Sequence, residues 1–221
     1  MGTYIGIDGY RGGWVAAYIG ETGGRYFDHS CNLDDLLAVP HTRAMIDLPV
    51  GLPDRGYRQC DVEARALVGS RVFLGARWGV WEFECYQAAN NHYWRTGDPG
   101  ISQQLWCIRH KLRDVNTAMT PGRPVKLRET HPELVFRRLA GGPLDSKKSE
   151  SGCKQRIKLL RSHGIRDIDR WLSTRKGTGI GRDDLIDACA CALAARDSKN
   201  RFPRKNEPEF NSRGIRMEIW Y

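Results

Sequence analysis

What most limits how this 221-residue chain can fold is the placement of its carboxylates at the ends of short apolar runs. Tyr4-Ile5-Gly6-Ile7 ends on Asp8, Met45-Ile46 ends on Asp47, and the stretch from Val125 leads to Glu129. Short runs of branched apolar residues read as strands. Asp184 and Asp187 instead open a helix rich in alanine and cysteine. An open sheet gathers ligands at its strand ends, so carboxylates scattered in sequence can converge there. The expected fold class is α/β: a mixed sheet flanked by helices.

The intervening residues fill in that plan. Tyr4 to Asp8 and Trp14 to Ile19 read as strands joined by the Gly9–Gly13 turn, and Gly23-Gly24 leads to a third strand at Arg25 to Phe27. Asn32 is placed to cap a short helix through Leu33, Leu36 and Leu37, and Ala44 to Asp47 forms a further strand before Pro49. Helices are expected around Val62 to Leu67, over Tyr86 to Trp94 and over Ile101 to Val115. Val125 to Glu129 supplies another strand, and Thr130-His131-Pro132-Glu133 reads as a capping box for the helix through Leu139. Further helices are expected around Lys154 to His163 and from Asp183 to about Arg196, with a closing strand in Ile215 to Tyr221. The organisation expected is a single domain over residues 1–221, with a helical insertion at about 58–120 and a basic C-terminal extension at about 199–221.

Charge and cysteine usage narrow the partners. A net charge of +9 favours an anionic partner, nucleic acid first. The seven cysteines lack a Cys-x-x-Cys pair or a zinc-like Cys/His spacing, the pattern of a reduced cytoplasmic protein. No apolar run approaches the length of a bilayer span and no leader pattern precedes the first strand, so no membrane association is expected. Oligomeric state is not legible.

Each acidic residue alone has a structural role open to it. Asp8 before Gly9 suits an Asx turn, Asp47 the turn before Pro49, and Glu129 its own neighbourhood, while Asp183 or Asp184 suits a helix N-terminus. Asp187 differs, because its helix is otherwise nearly all small or apolar and a carboxylate there needs a partner. Asp184 and Asp187, three residues apart, share one helical face. Clustered carboxylates raise one another's pKa unless a cation resolves the conflict. Magnesium or manganese takes oxygen ligands, and two such ions are the requirement of a two-metal phosphodiester hydrolysis.

Five segments, in order, carry a family resemblance: Gly6-Ile7-Asp8-Gly9-Tyr10-Arg11-Gly12-Gly13-Trp14, Ile46-Asp47-Leu48-Pro49-Val50-Gly51-Leu52-Pro53, Arg58-Gln59-Cys60-Asp61-Val62-Glu63-Ala64-Arg65, Glu129-Thr130-His131-Pro132-Glu133 and Asp183-Asp184-Leu185-Ile186-Asp187-Ala188. The chain resembles the predicted ribonuclease H-like nucleases grouped as domain-of-unknown-function family 429. The likeness extends to Ser146-Lys147-Lys148 and Gly214-Ile215-Arg216-Met217-Glu218. It implies a ribonuclease H-like fold, with a three-strand antiparallel meander followed by parallel strands. It also implies Asp8 on the first strand, Asp47 on the fourth and Asp184/Asp187 on the last helix; the metal ligands expected are Asp8, Asp47, Asp184 and Asp187, with Glu129 an additional catalytic carboxylate. Tyr10 stands where many relatives carry Cys, and Ser70-Arg71-Val72-Phe73 where a double serine is usual.

Other residues are candidates for holding substrate. Arg11, just past Asp8, either grips a phosphate or is a solvated surface group, and His131 either moves a proton, ligates a metal or holds substrate, or serves only to start the helix before Pro132. From Lys147 to Lys176 the chain has ten Lys/Arg against three Asp/Glu. Lys147 and Lys148, with Lys154, Arg156, Lys158 and Arg161, therefore offer phosphate contacts. Arg58, Asp61 and Arg65 fall on one helical face, either toward a cleft or as a surface ion-pair row. Trp78, Trp81 and Trp94 either stack on unpaired bases or pack internally. The expected function is a magnesium- or manganese-dependent nuclease acting on DNA or RNA. The alternative is a non-catalytic nucleic-acid-binding or regulatory module of the same fold. A phosphotransferase is a third reading, disfavoured because no second phosphate loop is present.

Overall fold

The computed structural model describes residues 2–119, 127–204, 207 and 209–221. Its elements run in the order β1 (Thr3–Tyr10), β2 (Gly13–Gly20), β3 (Arg25–Ser30), α1 (Leu33–Leu37), β4 (Arg43–Ile46), α2 (Gln59–Val68), α3 (Tyr86–Arg95), α4 (Gln103–Cys107), α5 (Arg109–Ala118), β5 (Leu127–Glu129), α6 (Pro132–Ala140), α7 (Glu150–Ser162), α8 (Ile168–Thr174) and α9 (Arg182–Asp197). Short two-residue strands follow α9. The chain divides into two compact units: Met1–Leu48 with Lys126–Lys199 and Trp220–Tyr221, and Pro49–Val125 with Asn200–Ile219.

The first unit is built on a five-stranded sheet of order β3-β2-β1-β4-β5. β1, β2 and β3 form an antiparallel meander, while β4 and β5 run parallel to β1. Side chains alternate between the two faces. Gly6, Asp8, Val15, Ala17, Ile19 and Met45 share one face, as their pairings Gly6↔Ala17, Asp8↔Val15 and Gly6↔Met45 require. Ile5, Ile7, Ala16, Tyr18 and Ile46 share the other, where the Tyr18 hydroxyl donates to Leu36 O on α1 at 3.0 Å.

Helix α9 covers the first face. Every residue from Leu185 to Ala195 is buried, as expected of a helix enclosed on all sides rather than one lying at the surface. Small residues let it come very close to the sheet. A Cβ on Gly6 would lie 1.9 Å from Ala192 N and 2.2 Å from Ala188 O, so β1 and α9 meet backbone to backbone. α6 and α7 pack against α9 through Val135, Phe136, Cys153 and Leu160. Beside them, Arg156 Nη2 donates to both carboxylate oxygens of Glu133, at 2.8 and 2.9 Å, with Arg156 only 1% exposed.

The second unit holds α2 to α5 and anchors the loop after Leu48. Asn116 accepts from Gly51 N and donates to Pro49 O, both at 2.9 Å, and Arg58 Nη1 donates to Val50 O at 2.8 Å. Arg58 and Asp61 form a buried ion pair, so they are neither a cleft-facing row nor a surface one. Arg65 donates to Val72 O.

Several elements differ in detail from the sequence reading. The helix expected over Ile101 to Val115 is two, divided at Ile108, whose N–H turns back to Leu105 O and whose φ of −95° and ψ of 4° depart from helical values. The expected capping box does not form at Thr130. His131 is the N-cap of α6 and accepts from Glu133 N, Thr130 Oγ1 donates to Trp220 O, and the Glu133 carboxylate goes to Arg156. α8 has no counterpart in the sequence reading. Val125 and Lys126, in the expected fifth strand, lie outside the described residues. No helix among the described residues is long and apolar enough to cross a membrane.

Candidate metal centre

The strand register assembles the acidic site. Ile7 pairs with Ile46 across the parallel β1–β4 ladder, and Asp47 N donates to Ile7 O at 3.0 Å, so Asp8 and Asp47 stand side by side at the ends of adjacent strands. Both follow face-sharing residues, Gly6 and Met45, by two positions and so point to the α9 side. Asp187 comes down from α9 one residue before Ala188, whose carbonyl oxygen lies against Gly6. One ligand atom from each of Asp8, Asp47 and Asp187 falls within 4.8 Å of the others.

The remaining sequence candidates are distributed around this triad. Glu129 is buried, but it pairs with Ile46, one position short of Asp47, which turns its side chain to the opposite face of the sheet. Asp184 lies one turn before Asp187, and its Oδ2 accepts Gly181 N–H at 2.9 Å as part of the helix cap. Its charge still reaches Asp8. His131 Nδ1 accepts from Glu133 N at 3.2 Å, and its charge acts on Asp47. Lys147 Nζ lies 2.7 Å from Asp187 Oδ2. Arg11, in the turn after β1, and Lys148 are both exposed.

Some expected phosphate contacts are engaged elsewhere. Arg156 is buried on Glu133, Arg161 pairs with Asp169, and Lys154 pairs with Glu150. Among the tryptophans, Trp78 packs edge-on against Trp81 at 5.1 Å and carries the Arg213 guanidinium over its ring, while Trp94 is 62% exposed. The Glu133–Arg156 pair was absent from the sequence reading of the site, yet the Glu133 charge is felt at both Asp47 and Asp187.

The electrostatics are those of crowded carboxylates. Burial, then the charges of Asp47, Asp187 and Asp184, push the Asp8 carboxyl well above its usual range. Burial also raises Asp47, against the opposing pull of His131 and Lys147. Burial drives Asp187 up to about 7, although Lys147 works in the other direction. At Lys147 burial favours the neutral amine, but the carboxylates of Asp187, Asp47 and Asp8 outweigh it and hold the ammonium charged. Cys191, one turn beyond Asp187, has its thiol pushed far up by burial and by the same three carboxylates, so it stays protonated and is no nucleophile.

One observation tests whether these residues suit a cation. Asp187 is 3% exposed, and its Oδ1 has no hydrogen-bond partner. A buried, unsatisfied carboxylate oxygen is costly, and here it lies among oxygen donors alone, the donor set that magnesium and manganese prefer.

Fold and site together define a mixed α/β protein with a buried acidic centre at its parallel strand ends. The family model described as protein of unknown function (DUF429) matches residues 6–207, and the chain belongs to that family. Comparison with curated proteins and with solved structures returns no match.

Proposed function

We propose that this chain is a divalent-cation-dependent nuclease of ribonuclease H-like fold. The single observation that carries the reading is the convergence of Asp8, Asp47 and Asp187 from two adjacent parallel strands and a buried helix. The antiparallel meander continued by parallel strands supports the ribonuclease H likeness.

Asp8, Asp47 and Asp187 would hold the cation, magnesium or manganese. When bound, a divalent ion supplies Lewis acidity, lowering the pKa of a water and offsetting charge on a phosphoryl group. Asp47 and Asp8 are fixed in position by the strand ladder, and Asp8 Oδ1 is further oriented by the Gly9 N–H at 2.7 Å. Arg11 and Lys148 are exposed and available to hold backbone phosphates of DNA or RNA without reading sequence. Asp184 contributes charge from the helix cap, and His131 shapes the field at Asp47.

The test is cleavage of labelled single-stranded and duplex DNA, RNA, an RNA–DNA hybrid and a four-way junction, with Mg2+ or Mn2+. Wild type should cut at least one substrate. Asp8→Asn and Asp187→Asn should each lose more than about 100-fold, since even outer-shell partners of a metal are worth 10- to 100-fold. Full activity in both variants refutes the assignment. Salt-sensitive binding with no cleavage at any cation concentration would instead favour the non-catalytic module.

A further inference from the structure

The acidic centre already contains a cation of its own. Lys147, on the segment between α6 and α7, puts its ammonium 2.7 Å from Asp187 Oδ2. This is unlike a surface ion pair, because the carboxylate it meets is only 4% exposed and the lysine side chain is itself mostly covered, at 39%. The same ammonium acts on Asp47 and Asp8 as well. Asp187 thus offers one oxygen to Lys147, while its other oxygen has no hydrogen bond.

Counting charge shows what such an arrangement accepts. The three carboxylates bring three negative charges, Asp184 adds one from the helix cap and Lys147 returns one, leaving three, of which a single divalent ion neutralises two. A second divalent ion would turn the centre net positive before any substrate arrived. Distance argues the same way. Ions of a two-metal site sit about 3.5–4 Å apart and commonly share a carboxylate between them. Magnesium approaches a carboxylate oxygen to about 2.1 Å, so a second ion on Asp187 Oδ2 would crowd directly against the ammonium.

We propose that Lys147 is the second cation of this centre: its ammonium occupies the side of Asp187 that a second ion would need. The chain therefore takes one divalent cation, on Asp8, Asp47 and the open oxygen of Asp187. This inference rests on the cation-dependent reading above and revises its two-ion expectation. It also changes the part assigned to Lys147, from gripping a phosphate to completing the centre's charge.

Counting bound Mn2+ on the full chain by electron paramagnetic resonance tests it without reference to activity. Ions whose binding Asp8→Asn abolishes are the ones counted. Wild type should hold one. Lys147→Met, which keeps the length of the stem and removes the charge, should hold two, or bind its first ion at least about tenfold more tightly. Lys147→Arg should stay at one. Two such ions on wild type would overturn the inference and leave the nuclease reading standing, and this count needs no Lys147 variant to fold. Equal stoichiometry and affinity in wild type and a folded Lys147→Met would overturn it as well. No Mn2+ on wild type at the triad would remove both readings together.

Discussion

Three carboxylates within 4.8 Å of one another resist ionising together: burial raises the pKa of all three, and repulsion from the other triad carboxylates adds to it at Asp8 and Asp187. A carboxyl raised in the folded state binds its proton more tightly there than in the unfolded chain, so ionisation works against folding. For Asp187 the window runs from the ordinary carboxylate value of 3.8 to about 7. Its contribution to stability is intact below that window and lost as pH rises through it. Without divalent cation, Asp8→Asn should therefore come closest to wild type near pH 4, gain on it as pH rises through the window, and exceed it near pH 8 by several degrees in Tm, as an order-of-magnitude expectation. Asn keeps the acceptor for Gly9 N–H, so the loss of charge is isolated from the loss of the turn. A variant less stable than wild type at pH 8 would contradict this account. At this scale the sequence indicated Asp8, Asp47 and Asp187 because each breaks an apolar run. It gave no way to see that Glu129 turns to the other face, since that depends on a one-residue strand register. The Glu133–Arg156 pair was equally hidden, being 23 residues apart and on different helices.

Among the elements, the decisive contact is between β1 and α9. The alanine-rich sequence of α9 has a spatial reason: Ala188 and Ala192 leave room for the backbone of Gly6 to approach, and that approach brings Asp187 over Asp8. Gly6→Ala should consequently be severe. Its Cβ would meet backbone atoms, which cannot swing aside as a side chain can, and overpacking of this kind costs about 1–3 kcal/mol or more. A thermal melt should fall by roughly 2–4 °C per kcal/mol lost, and the proposed nuclease activity should fall even where the variant remains folded. Unchanged stability would mean that the close approach is not required. Strong periodic segments were legible as elements, and the helix read from Asp183 to about Arg196 is found at Arg182–Asp197. The break at Ile108 and the cap at His131 were not, because both are decided by local hydrogen bonds that two or more sequence patterns satisfy equally well.

For the whole molecule, the net charge of +9 bears on the proposed partner. The buried Arg77 guanidinium donates to backbone carbonyls and is withdrawn from the surface, whereas the buried Arg58 and Arg156 each pair with a carboxylate and leave the net charge of the rest unchanged. If Arg11 and Lys148 make two phosphate contacts, affinity for duplex DNA should fall about tenfold between 50 and 200 mM salt. Replacing both by Ala should flatten the slope of log K against log salt by about 2, measured by fluorescence anisotropy. An unchanged slope would place the binding surface elsewhere. The mixed α/β class was readable from the alternation of short apolar runs and helices, whereas the division into two units follows from contacts between residues 49–125 and 200–219 that no local pattern announces.

The order in which the triad is spelled along the chain has a consequence during synthesis. Asp8 and Asp47 emerge from the ribosome first, and Asp187 follows 140 residues after Asp47, on the helix that covers the sheet. Until α9 is made, the nascent protein has two neighbouring carboxylates and an uncovered apolar sheet face, and no complete centre. A chain stopped before α9 would thus lack the third carboxylate and leave that sheet face uncovered, so the centre is complete only after residue 187 has been made.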